Sequence, residues 1–159
     1  MAQEITTRET IRADINAAQE DLQELMPRIS DDDWYNLQRD DGWSIHDIVG
    51  HIADSSYGIA RMLTAGLPPG AKLNIDERNA ARRESMRTLP RAEIEQRLAS
   101  GFDAARETLS SIPDLNAPGP PGIERNAGQC LAIIPLHVAA HQQEIEDLLA
   151  GRRIVGGDT

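Results

Sequence analysis

The sequence predicts an all-α protein, a four-helix bundle. Apolar residues recur at steps of three and four along most of the chain, the repeat of a helix with one buried face, and strand-like alternation is absent. Prolines and glycines gather into a few connections between the periodic stretches. The 159 residues suit one domain, which at this length buries ~70% of its unfolded surface. Its expected extent is 1–151, with 152–159 as a C-terminal tail.

The first helix carries the seam Ile11, Ile15, Ala18, Leu22, Leu25 and Ile29, with Thr6 and Glu9 placed as a capping box. Asp31 to Gln38 reads as a turn or a short helical piece. The second helix opens at Ser44, with Asp47 at its third position and Trp43 placed to staple onto Ile48. Its seam is Ile45, Ile48, Ile52, Ser55, Ile59 and Leu63, and it ends at the connection beginning with Gly66. Asn74 and Glu77 open a third helical region, interrupted around Pro90 and resumed through Ile94, Leu98, Phe102, Ala105 and Leu109. Ile112 to Gly122 holds four prolines and two glycines, too poor in backbone donors for a helix; such long connections often lie over a site. The last helix begins near Asn126, with Gln129 completing a capping box, and stops at Gly151. Pro135 inside it predicts a kink just before His137, unless the regular helix starts only at Pro135.

The formal charge of −10 argues against nucleic-acid backbone binding, which needs a basic surface. Arg78, Arg82, Arg83, Arg87 and Arg91 recur at helical spacing and could receive the carboxylates or phosphates of a small ligand. The expected reading is plainer: a solvated face paired with Glu77, Glu84 and the Asp31–Asp33 run. No apolar run approaches the ~18 residues of a membrane span, and Met-Ala-Gln-Glu at the start lacks a basic-then-apolar leader pattern. With a single cysteine, these features lead us to expect a soluble cytoplasmic protein.

The chemistry concentrates in four histidines. His137 and His141 stand four residues apart in an apolar helical stretch, so at ~100° per residue both imidazoles reach one point. Neutral imidazole nitrogen suits Zn, Ni, Fe or Cu, and His51 is the candidate third ligand. His141 falls on the seam Leu131, Ile134, Val138, His141, Ile145 and Leu148, where an apolar residue is expected; such violations concentrate at functional sites. His46, turned ~140° around the helix from His51, cannot face the same metal and reads as a surface or cap-region residue. Cys130 lies about 10 Å along the axis from His137, too far to share that metal, and reads as a small buried hydrophobe. Glu144, one turn past His141, could orient a ligand or act as a base, and is the one catalytic candidate; the plain alternative is a polar residue at the bundle end. Asp54 and, more weakly, Tyr57 are further candidates to support the ligands. Neither paired Glu-x-x-His motifs for a di-metal site nor an HExxH protease signature is present.

A Trp43-Ser44 pair opening a helix, His51 eight residues after the tryptophan, and the late His137-x-x-x-His141 helix together resemble the DinB-like superfamily, from the first helix to Gly151. The resemblance implies a four-helix bundle with up-down-down-up topology and a long second crossover, and members are often dimers, so a homodimer is expected. It also implies that His51, His137 and His141 are the metal ligands. Relatives of known activity use low-molecular-weight thiols, as S-transferases or as a mycothiol-dependent isomerase. Three neutral histidines leave a divalent metal (Zn, Ni or Fe) its full charge and an open position, as in catalytic zinc sites. The expected function is a metal-dependent, thiol-dependent S-transferase acting on a small-molecule substrate, the metal presenting the thiol as thiolate. The alternatives are a metal-dependent hydrolase and a non-catalytic dimeric binding bundle.

Overall fold

The computed structural model describes residues 7–66 and 74–156, which form six α-helices and, beyond two isolated backbone bridges, no strand. They are α1 (Arg8–Leu25), α2 (Asp31–Asn36), α3 (Ile45–Ala65), α4 (Ile75–Met86), α5 (Arg91–Ser111) and α6 (Ala127–Leu149). The four long helices pack α1 on α5 and α6, and α3 on α5 and α6, around one apolar core; α4 leans on α3. Most of the connection beginning with Gly66 lies outside the described residues.

Local chemistry sets the helix boundaries. Thr7, rather than Thr6, caps α1, its hydroxyl accepting the Thr10 N–H; Thr6 lies outside the described residues. Ser44 and Asp47 form a full capping box at α3, and Asn126 and Gln129 form another at α6. The α6 box also settles the start of the last helix at Ala127, so α6 runs through Pro135 rather than beginning there.

The seams of α1 and α6 are buried as the spacing predicts, His141 included. In α3 the outcome differs: Ile45, Ile48 and Ile52 are buried, but beyond them the buried positions are Ala53, Ser56 and Ala60, while Ser55, Ile59 and Leu63 are only partly covered. The reason is close helix packing. A Cβ on Gly101 of α5 would lie 2.9 Å from the Ala53 carbonyl oxygen and 3.3 Å from Ser56 Cβ, so small residues on both helices set how near the two backbones come. The larger Ser55–Ile59 side of α3 is thereby turned toward a cavity.

No described helix is long and apolar enough to cross a membrane.

Candidate metal centre

The three histidines converge. His51 Nε2 and His137 Nε2 are 3.1 Å apart, His141 Nε2 and His137 Nε2 are also 3.1 Å apart, and the rings meet edge to face with centroids 4.5–5.0 Å apart. They form a group able to hold a metal ion, one side chain from α3 and two from α6. With metal–nitrogen bonds of ~2.0–2.1 Å, a 3.1 Å edge corresponds to a ligand–metal–ligand angle of about 100°, between octahedral and tetrahedral values.

Protonation favours the same arrangement. The Glu144 carboxylate lies 2.8 Å from His141 Nδ1 and can only accept, so Nδ1 carries the proton and Nε2 turns its lone pair inward. Burial, followed by the neighbouring rings His137 and His141 and then Arg39, pulls His51 down to about 3. Burial, then His141, pulls His137 down to about 4 despite the opposing pull of Glu144. Both rings are therefore neutral donors at pH 7.

These depressed values have a consequence for stability. An unfolded histidine takes up its proton near 6.5, whereas folded His51 and His137 resist protonation until about 3 and 4. Their contribution is whole above pH 6.5 and is lost as pH falls toward those folded values. In the chelator-treated protein we expect a loss of roughly 2 kcal/mol per ring between pH 7 and 5. Urea midpoints measured across that range check it; a flat profile, or one unchanged in a His51→Gln, His137→Gln double variant, contradicts it.

A second layer holds the three histidines in place. Arg39, nearly inaccessible in the loop before α3, donates to Glu144 Oε2 at 3.2 Å and to both Asp41 oxygens at 3.0 and 2.5 Å. Its guanidinium also lies 4.8 Å over the Trp43 ring, which packs edge-on against His51 with centroids 5.5 Å apart. Arg39 thus braces His141 through Glu144 and His51 through Trp43. The loop that presents it closes through Arg39 N–H to Trp43 O and Gly42 N–H to Arg39 O, both 2.9 Å, and Gly42 takes φ +85°, where glycine alone is unstrained. Burial raises the Glu144 carboxyl, but His141 and Arg39 outweigh it and hold it below its ordinary value.

Other expectations meet mixed outcomes. Glu144 lies 2.8 Å from His141 Nδ1 and also accepts from Arg39. Asp54 lines the cavity and pairs with Arg82 at 3.5 Å; the side chain that approaches His51 Nδ1 is Ser55, at 3.4 Å. Tyr57 is exposed. His46 sits in the first turn of α3 but is buried, correcting the surface reading: Trp34 Nε1 donates to its Nδ1 at 2.7 Å, and its Nε2 bonds the Met86 carbonyl at 3.1 Å. An apolar neighbourhood with two fitted partners made the inside cheaper than water for that ring. Cys130 is buried, its thiol pushed up by burial with Arg125 partly opposing, and it lies outside the histidine group.

The arginine stripe is less solvated than expected. Arg87 pairs with Glu84 and Arg91 with Asp31, as the charge pattern predicts, yet Arg82 and Arg83 reach across to Asp54 and Asp47 of α3. Arg83 also faces Trp43 at 5.4 Å, and Arg91 lies 4.5 Å over Trp34. The bracing role of Arg39 had no sequence signal, because Glu144 lies 105 residues away on α6.

A cavity of about 710 Å³ opens in front of His51 and His137, bounded by α3, α4, α6 and the segment Gly122–Arg125 that follows the Pro-rich stretch. Of the Ile112–Gly122 connection expected over a site, only Gly122 lines the cavity, and none of its four prolines does.

An all-helical chain whose second and last long helices bring three imidazoles together beside a ligand-sized cavity defines a class of helical proteins with a histidine site fit for a metal ion. The family model of the DinB superfamily matches residues 14–145, a span that contains all three histidines, and the chain belongs to that superfamily. Neither a curated protein nor a solved structure gives a match.

Proposed function

We propose that His51, His137 and His141 hold a divalent transition metal, Zn, Ni or Fe, and that the protein is a metal-dependent thiol S-transferase acting on a small electrophile. The observation that carries this reading is the convergence of three imidazole nitrogens on two 3.1 Å edges beside a cavity. In this reading the helices form an up-down-down-up bundle, and the chain works as a cytoplasmic homodimer. A bound metal would supply an open position that acidifies a coordinated thiol.

The rest is done by the protein's own side chains. Glu144 fixes the His141 tautomer, and Arg39 keeps Glu144 ionised and in place. Trp43 packs one side of His51 and limits its rotation. Ile59, Met62 and Ile133 give the cavity an apolar wall that excludes water from a reacting thiol and favours an apolar electrophile.

Elemental analysis of purified protein, then turnover of 1-chloro-2,4-dinitrobenzene with a panel of low-molecular-weight thiols, tests the reading. We expect about one metal per chain and thiol consumption that stops on chelation and returns with metal. Metal-free protein that resists loading would refute the site. Bound metal with thiol-independent ester cleavage would replace transfer by hydrolysis, and bound metal with no turnover of either kind would point to a binding protein.

A further inference from the structure

We propose that the cavity in front of the histidines takes a ligand with an apolar body and a carboxylate, which Arg78 binds and Arg125 supports. This rests on the reading of that cavity as the substrate chamber and adds the charge of what enters it. Three arginines of the α4 region have carboxylate partners: Arg82 with Asp54 at 3.5 Å, Arg83 with Asp47 at 3.1 Å and Arg87 with Glu84 at 3.3 Å. Arg78 is different. It is half-buried and lines the cavity, and among the described residues no carboxylate pairs with it.

Its position depends on a glycine. The guanidinium lies against α3 at Gly58, where a Cβ would come within 2.6 Å of Nη2, so a side chain there would displace the cation from the chamber wall. Arg125 lines the same cavity from the segment before α6. Two carboxylates share the lining, but Asp54 is engaged by Arg82, which leaves Glu124 alone against two guanidinium groups. The charged lining, Arg78 and Arg125 with Asp54 and Glu124, sums to zero, and Arg82, outside the lining, brings the group to +1 in a chain of net charge −10. A partly desolvated guanidinium is a fork matched to a carboxylate, and Ile75 and Ile133 give the chamber apolar surface for the ligand's body. The volume of about 710 Å³ suits a small organic molecule.

A pair of ligands differing only in charge tests this: 1-naphthoate and 1-naphthamide, titrated by calorimetry into the full chain with and without EDTA. We expect naphthoate to bind about tenfold more tightly or better, the gap persisting in EDTA. Arg78→Met should close the gap by weakening naphthoate alone, Arg78→Lys should narrow it, and Gly58→Ala, which a helix tolerates well, should also narrow it. Equal binding of the two ligands, binding of neither, a gap that survives Arg78→Met, or a gap that vanishes on chelation would each overturn the assignment. The metal reading fails separately: protein that resists loading with added metal yet shows an Arg78-dependent gap refutes the centre and keeps the anion site.

Discussion

We expect His51→Ala to abolish metal retention and to leave the helical fold intact. Structural zinc in small peptides is bound by ~10–16 kcal/mol through four ligands, so each ligand contributes about 3 kcal/mol, and removing one of three weakens binding roughly a hundredfold or more. The fold survives because the side chain borders a cavity and because the lost group is a ring held neutral against its own tendency to take a proton. Metal content after purification and circular dichroism of the same sample decide the matter. A variant that still carries one equivalent of metal would remove His51 from the ligand set; one that unfolds would make the residue structural.

We expect Arg39→Met to damage both stability and metal binding, although Arg39 is outside the histidine group. The guanidinium is buried and serves two carboxylates, and breaking a buried ion pair costs about 3–5 kcal/mol. Asp41 and Glu144 are partly exposed and recover some hydration, so we expect about 2–3 kcal/mol in urea unfolding. Freed from Arg39, Glu144 no longer holds His141 firmly, and Trp43 loses the nearer of the two cations on its ring. Loss of such outer support typically weakens metal binding 10–100-fold, measurable by competition with a chromophoric zinc chelator. Arg39→Lys should keep the charge and much of the stability yet recover the affinity poorly, since an ammonium cannot span Asp41 and Glu144 as the planar fork does. Unchanged zinc affinity in Arg39→Met would show that the brace does not reach the ligands.

How much was legible depended on how local the cause was. The seam from Ile11 to Leu25 and that from Leu131 to Leu148 could be read directly, because helical spacing alone puts those residues on one face. The capping residues Ser44 and Asn126 could be read for the same reason: their partners lie three residues on. The second half of α3 could not. Its buried face is chosen by Gly101, which admits Ala53 and Ser56 at close range and turns Ile59 toward the cavity. His46 was misread as a surface residue because its partners Trp34 and Met86 come from other helices.

The amino-acid order by itself determined an all-helical chain, two histidines stacked one turn apart, and a rigid loop free to cover something. Those are short-range outcomes, governed by backbone geometry over a few residues. Tertiary structure alone decided that His51 meets that pair, that Arg39 ties Glu144 and Trp43 to opposite sides of the site, and that Arg78 lines a chamber while its neighbours find carboxylates. Such meetings join residues as many as 105 positions apart, and only the packing of whole helices fixes which side chains share a point in space.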